Sequence, residues 1–290
     1  MSVEIKNLSH IYMPGTPFEV RAVDDVSFDI KDGEFFGLIG HTGSGKSTLI
    51  QHINGLLLPT GGSVKINGYE ISIEKKDLKD IRRLVGMVFQ YPEYQLFEDT
   101  VEKDVAFGPK NQGLSRDEIE HNVRESIEDV GLDFDKVRNM SPFELSGGQR
   151  RRVAIAGVLA MKPEVIIFDE PTAGLDPAGR ELIYQEIQKI KEKRGATVIL
   201  VSHNMDDIAR FADRIAVMEK GKLVSLSEPK TLFSNEERLS QFNLDVPQLT
   251  SFAHNLNKKG GFDIPDGVFE IEDMKNEVIQ AVRRKKQNVQ

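Results

Sequence analysis

The chain has 290 residues, 39% hydrophobic and 29% charged, with a formal net charge of −8 and no cysteine. That length and composition suit about two soluble domains with a sizeable buried core. Without cysteine, disulfides and thiolate zinc sites are excluded, which fits a reducing compartment, and the acidic balance argues against a general binder of nucleic-acid backbone.

The opening, MSVEIKNLSH, has neither a basic n-region nor an apolar h-region, so no secretory signal is expected. Residues 3–8 alternate apolar with polar, and residues 26–30 do so again before an Asp32-Gly33 turn; both read as strands of a partly exposed antiparallel sheet. Residues 35–39 are continuously apolar, as in a strand buried on both faces. A glycine loop and a helix follow it. Pro59-Thr60-Gly61-Gly62 reads as a turn, since it has no lysine and opens no helix. Further buried strands are expected over residues 83–90, 165–168, 197–201 and 214–218. The later ones alternate with helical segments, as a parallel sheet requires.

Between Pro92 and Pro163 the pattern turns helical. Ile119, Val123, Ile127 and Val130 line one face, and Ser115 with Glu118 makes a capping box at the start. The expected organisation is a main α/β domain over 1–228, a helical subdomain inserted at about 92–162, and a small C-terminal domain over 229–290. In the last, Leu249, Phe252, Ala253 and Leu256 share one helical face and Ile271, Met274, Val278 and Val282 another, with turn signals between them. The longest uncharged apolar stretch, Val153 to Met161, is nine residues, against the roughly 18 of a bilayer span. No membrane crossing is expected, and a place in the cytoplasm is.

Gly40-His41-Thr42-Gly43-Ser44-Gly45-Lys46-Ser47 matches G-x-x-x-x-G-K-[ST] between a buried strand and a helix. Glycines let such a loop turn its N–H groups inward on phosphate, and the helix N-terminus adds a favourable dipole. Lys46 is expected to reach the β- and γ-phosphates of ATP and Ser47 to bind Mg²⁺. The apolar strand from Val165 ends in Asp169 and Glu170. Alone, such a pair reads as a solvated strand end; beside the glycine loop, Asp169 reads as a magnesium ligand and Glu170 as the general base that polarises the attacking water. His203, just beyond the strand ending at Val201, reads in the same company as a polar contact to the γ-phosphate. Leu145-Ser146-Gly147-Gly148-Gln149 opens another helix, with Arg150, Arg151 and Arg152 in its first turns. Ser146 reads either as an N-cap or, with the Gly147 and Gly148 amides, as a second anion site. One nucleotide does not need two such helix ends from one chain.

Together the phosphate loop, LSGGQ, the FDE strand, Ala173-Gly174-Leu175-Asp176 and His203 resemble the ABC ATPase family over roughly residues 3–227. The resemblance implies a P-loop NTPase: a RecA-like α/β core with a mixed sheet, an antiparallel β subdomain, an inserted helical subdomain and a small C-terminal domain. It implies that LSGGQ of one subunit closes over ATP held by the phosphate loop of another. Ser146, Gly147, Gly148 and Gln149 then join Thr48 and the loop as nucleotide contacts. Gln90 resembles the Q-loop glutamine, which contacts Mg²⁺ and the transport partner, and Asp176 the D-loop acid at the dimer interface. Tyr12 corresponds to the aromatic that stacks on adenine; a plain hydrophobic strand residue is the other reading.

Residues 91–104 combine aromatics with Glu93, Glu98, Asp99, Glu102 and Asp104. They read as a groove for a basic amphipathic helix, or else as an ordinary solvated face. This stretch and the N-terminal segment resemble the energy-coupling factor (ECF) transporter ATPases, including cobalt-type members, and among them the second of two paralogous subunits. The implied function is ATP hydrolysis that powers uptake of vitamins or metal ions. The implied partners are a second ABC ATPase, a transmembrane scaffold bound at the 91–104 groove and, indirectly, a substrate-binding membrane subunit, at the cytoplasmic face of the membrane. An ATPase of another ABC importer or exporter differs only in that groove and the tail. A soluble ABC ATPase acting on nucleic acid usually has coiled-coil insertions or two cassettes, and a non-hydrolysing regulator lacks a Glu170 or His203 equivalent. Arg283 to Lys286 is expected to be a solvated tail.

Overall fold

The computed structural model describes residues 2–234 and 239–287. In chain order the elements are β1 (Val3–Tyr12), β2 (Val20–Ile30), β3 (Phe35–Ile39), α1 (Lys46–Ile53), β4 (Gly61–Ile66), β5 (Tyr69–Ser72), α2 (Leu78–Leu84) and β6 (Val85–Val88). The helical stretch follows: α3 (Val101–Val105), α4 (Phe107–Gln112), α5 (Arg116–Asp129), α6 (Phe134–Val137) and α7 (Gly147–Leu159). After it come β7 (Val165–Asp169), α8 (Pro177–Arg194), β8 (Thr197–Val201), α9 (Met205–Phe211), β9 (Arg214–Glu219), β10 (Lys222–Ser227), α10 (Pro229–Phe233), α11 (Gln248–Gly260) and α12 (Ile271–Gln287). The chain divides into two compact units, Met1–Glu34 with Ser47–Val201, and Phe35–Lys46 with Ser202–Gln290.

In the first unit, β2-β1-β4-β5 form an antiparallel sheet. Both leading strands are longer than the alternation suggests, because bulges shift its phase. Val3 and Ile5 face the core, the register slips around Asn7, which has a left-handed φ of 48°, and Leu8 and His10 then face inward. Gly61 and Gly62 begin β4 rather than forming only a turn. At Gly62, φ is 71° and an added Cβ would overlap the carbonyls of Lys6 and Asn7, so the strand crossing itself requires glycine.

Three parallel strands, β6, β7 and β8, carry the other core of this unit. β7 is fully buried from Val165 to Phe168, as its unbroken apolar run requires. The strand expected over 83–90 is shorter, since Arg83 and Leu84 finish α2 and only Val85–Val88 pair. The helical stretch follows the sequence closely. Ser115 and Glu118 make both bonds of the capping box, and Val123, Ile127 and Val130 are buried.

In the second unit β3 pairs parallel with β9, and β9 antiparallel with β10, a mixed arrangement. Near the C-terminus, Ala253, Ile264, Met274 and Ala281 form a small core against which Leu249, Leu256 and Val278 pack. Phe252 and Ile271 stay exposed, at 46% and 75%. The inward faces of α11 and α12 are therefore narrower than spacing implied, with Ala281 taking the place assigned to a larger residue. Arg283 to Lys286, expected to be a solvated tail, are exposed and form part of α12. Arg284 donates to the Asp263 carbonyl at 2.8 Å, and Lys285 bonds the Gly260 carbonyl and lies over the Phe262 ring. Lys285 thereby partners a carbonyl at the end of α11, where a cation is favoured. Among the described residues no helix is long and apolar enough to cross a membrane.

Candidate functional site

The glycine loop leaves β3 and enters α1. Gly40 has a φ of 148°, and an added Cβ would overlap the Met218 carbonyl oxygen and the Ser44 hydroxyl. Close approach to β9 is what demands glycine at this position. Ser44 is fully buried; its N–H donates to the His41 carbonyl at 3.1 Å, and its own carbonyl accepts from the Gly221 N–H at 3.0 Å. The Lys46 ammonium lies over the loop, donating to the carbonyls of Gly40 at 2.6 Å and His41 at 3.0 Å. Thr42, Gly43 and Gly45 complete the turn, with φ of 82° at Gly43 and 101° at Gly45.

Ser47 and Thr48 open the first turn of α1. Thr48 is buried and its hydroxyl lies 3.3 Å from the Tyr12 hydroxyl. Tyr12 ends β1 and is 38% exposed, so its ring is available beside the start of α1.

The β6–β7 register pairs Val88 with Phe168. Gln90 and Glu170 thus each stand two residues past the same rung, at the same edge of this sheet. Asp169 and Glu170 are partly exposed, Gln90 and His203 exposed. The Glu170 N–H donates to the Val201 carbonyl at 2.9 Å. Both loops hold a non-glycine residue in the left-handed region, Tyr91 at φ 55° and Glu170 at φ 50°. Each costs on the order of 1 kcal/mol, a strain that clusters at functional loops.

Ser146 is exposed and caps α7, its hydroxyl accepting from the Gln149 N–H at 3.3 Å while the Gln149 side chain accepts from the Ser146 N–H at 3.0 Å. Of the two readings of Ser146, the N-cap is the one observed in the single chain. Among the described residues, and apart from the helix's own backbone, nothing lies within 4 Å of a Cβ added to Gly147 or Gly148. Asp176 is exposed too, and N-caps α8 through the Gly179 N–H at 2.7 Å.

Two of the arginines after LSGGQ, Arg151 and Arg152, are engaged inside the chain. Arg151 is 3% exposed and points inward, donating to both Glu93 oxygens at 3.0 and 2.8 Å and to the carbonyls of Pro171 at 3.2 Å and Ala173 at 3.0 Å. Burial opposes ionisation of Glu93, but the guanidinium outweighs it and holds the carboxyl below its usual range. Arg152 donates to the carbonyls of Val130 and Gly131. Sequence spacing gave no sign of the Arg151–Glu93 pair, whose members are 58 residues apart.

A groove of about 890 Å³ lies at the 91–104 segment, with Leu78, Leu96, Phe97, Phe107, Val158 and Met161 among its walls. Several acids of the segment have partners inside the chain. Glu93 is committed to Arg151, Glu102 to Arg138 at 3.1 and 3.0 Å, Asp99 to Lys103 at 3.2 Å, and Asp104 accepts from the N–H groups of Phe97 and Glu98, both at 2.9 Å. Exposed Phe97 and Phe107 meet edge-on at 5.0 Å, and the lining joins these aromatic and apolar residues to Asp104 and to the cations Lys79, Arg82 and Arg83.

The sequence matches the family described as ABC transporter over residues 23–173. It is 53% identical to the energy-coupling factor transporter ATP-binding protein EcfA2 of Clostridium tetani, over 99% of this chain and 100% of that one. To the protein of the same description from Clostridioides difficile it is 54% identical, over 98% of each. Among solved structures, cbiO1 from Clostridium perfringens, part of the ABC transporter complex cbiONQ, is similar with a TM-score of 0.73 and 35% identity, covering 88% of this chain and 98% of that one. The cassette MJ0796, a dimer in a post-hydrolysis state bound to ADP and Pi, has a TM-score of 0.68 and 34% identity, covering 78% of this chain and 98% of that one. These neighbours are ABC cassettes, so the P-loop NTPase fold expected from the motifs is the observed one. The chain belongs to the ABC transporter family and, within it, to the energy-coupling factor transporter ATP-binding proteins.

Proposed function

We propose that the chain is the ATP-hydrolysing subunit of an energy-coupling factor importer, and that it works in a dimer of ABC ATPases. The observation that carries this reading is the bare end of α7. Ser146, Gly147 and Gly148 are exposed at the N-terminus of a 13-residue helix, where backbone N–H groups and the helix dipole favour phosphate. The chain's own glycine loop already supplies one such end, so the second serves a nucleotide held by a neighbour.

In this reading Tyr12 stacks on adenine, and the backbone of Gly40 to Gly45 surrounds the phosphates of ATP. The Lys46 ammonium exchanges the carbonyls of Gly40 and His41 for phosphate oxygens. Thr48 contacts the nucleotide beside Ser47. Ser47, Gln90 and Asp169 offer only oxygen donors, the set that suits Mg²⁺, which when bound supplies positive charge against the phosphates. Glu170 takes the proton of the attacking water, and His203 contacts the γ-phosphate. Asp176 faces the second subunit, as do Ser146 and Gln149. Residues 1–228 form the nucleotide domain, with about 92–162 as its helical subdomain, and 229–290 add dimer contacts.

The relative cbiO1 is part of a complex named cbiONQ. By analogy this chain sits peripherally at the cytoplasmic face of a membrane, where a transmembrane scaffold binds the Phe97–Phe107 groove and couples it to a substrate-binding membrane subunit for vitamins or metal ions. Apolar anchors on the scaffold fit that groove better than arginines do. Nucleic acid is not a partner in this reading.

Glu170→Gln tests the assignment. It keeps shape but removes the base, so phosphate release by the purified complex is expected to fall by about 10²–10⁴ while ATP binding persists. Undiminished turnover would remove Glu170 from the role.

A further inference from the structure

One buried polar cluster has no part in the chemistry above. His52 in α1 is completely buried, and His10 near the end of β1 is 8% exposed. His52 Nδ1 lies 2.7 Å from the Thr48 carbonyl oxygen. That oxygen only accepts, so Nδ1 carries the proton and Nε2 is left to accept. Nε2 lies 3.1 Å from His10 Nδ1, which therefore carries its own proton and also faces the Leu58 carbonyl at 3.2 Å. One neutral tautomer of each ring satisfies all of these partners.

On its other side the His10 ring meets the Tyr12 ring edge-on, with centroids 4.5 Å apart and planes at 74°. Tyr12 in turn reaches Thr48, hydroxyl to hydroxyl. The contacts close a circuit: Tyr12 to His10, His10 to His52, His52 to Thr48, and Thr48 back to Tyr12. Two members come from β1. The other two come from the helix that carries Lys46 and Ser47 at its start.

We propose that the His10–His52 pair is a positioning device that fixes the separation between the Tyr12 ring and the phosphate-loop helix, and so between the base and the phosphates of one nucleotide. It rests on the reading of Tyr12 as the adenine platform. Neither imidazole touches the nucleotide; each acts through Tyr12 or Thr48. Hydrogen bonds shielded from water hold geometry better than exposed ones, and a ring already oriented loses less freedom when a ligand binds. Apolar side chains of similar size would fill the volume but leave the ring unoriented. The benefit falls on ligands that span both ends of the site. A ligand that engages the phosphate loop alone is indifferent to the pair.

The test uses the full chain purified with its partner subunits, and the variants His10→Leu, His52→Leu and His52→Gln. KM and kcat are measured for ATP, with inorganic tripolyphosphate, which has no base, as a competing ligand. For both leucine variants the KM for ATP is expected to rise about three- to tenfold, the range of one oriented aromatic contact, with kcat within about twofold and tripolyphosphate inhibition unchanged. His52→Gln retains a donor and an acceptor and is expected to recover most of the loss. Parallel weakening of ATP and tripolyphosphate would mean a merely structural role and overturn the proposal, as would an unchanged KM. Tyr12→Leu separates the two readings. If it lowers ATP affinity and the histidine variants do not, the positioning role alone fails; if it has no effect, the adenine reading fails and the positioning role with it. Should His52→Leu not fold, His10→Leu and His52→Gln carry the comparison.

Discussion

Two glycine-led helix ends, those of α1 and α7, look alike in sequence and are finished in opposite ways. At α1 the chain closes over its own turn: Gly40 presses on Met218, and Lys46 binds carbonyls of the loop it belongs to. At α7 the end stands open, capped only by its own Ser146 and Gln149. The helices also differ in what holds them. α1 is fastened by a neutral imidazole, His52, and α7 by a buried cation, Arg151. An end that grips its own chain's nucleotide must be preformed, whereas one that serves a neighbour must be accessible yet firmly mounted.

The largest expected effect breaks the mounting of α7. Arg151→Met leaves the Glu93 carboxylate and two carbonyls without their partner, and the isolated chain is expected to lose about 3–5 kcal/mol in urea unfolding. Adding Glu93→Gln should restore part of it, a coupling that a double-mutant cycle measures. A loss below about 1 kcal/mol would mean that Arg151 is no anchor.

Next in size is a change at the open end itself. At Gly148 an added Cβ meets nothing within 4 Å among the described residues beyond the helix's own backbone, and an acid in the first turn of a helix stabilises it slightly. The test is Gly148→Asp. Unfolding of the isolated chain and its ATP affinity should therefore hold. A carboxylate facing a neighbour's triphosphate is expected to lower turnover in the complex by about 10²–10³, the scale of losing one oriented donor group. Normal turnover would deny that this end meets phosphate.

The smallest effect separates the two anchors by charge. Burial depresses the pKa of His52 from 6.5 to about 4, against a raising effect of its bond to the Thr48 carbonyl and a further lowering by His10. Between those values the unfolded chain binds the proton and the folded chain does not, so stability falls as pH drops through that window, by on the order of 3 kcal/mol. Glu186, pushed up to about 7 by burial against the pull of Arg152 and Lys189, titrates in the opposite sense. It takes up its proton first in the folded chain, which adds stability as pH falls from about 7 toward 4.5. The informative quantity is hence the difference between His52→Leu and the parent chain, which should shrink from pH 7 to pH 4. A constant difference would show that His52 does not titrate there.

What could be read from sequence was whatever depends on near neighbours. The glycine loop, the Ser115–Glu118 box and the apolar run of β7 are fixed within a few residues, and each is found where spacing put it. Long-range partnerships were not legible. His10 and His52 are 42 residues apart, Glu93 and Arg151 58, and no local pattern marks either pair. The same blindness hid the caps and ion pairs that Glu93, Asp99, Glu102 and Asp104 make inside the chain. The bulge at Asn7 reset the alternation of β1 and hid its last residues from that pattern, so that Tyr12 was reached only through the resemblance and His10 not at all.

The Arg151 guanidinium is flat and stiff, and it binds three stretches of chain at once: the turn after Gln90, the helix that begins with LSGGQ, and the loop that follows Glu170. In the proposed dimer, a shift of α7 toward a neighbour's ATP would pull through Arg151 on the turn that leads into the Phe97–Phe107 groove, so the movement offered to a membrane partner would begin at closure rather than at cleavage.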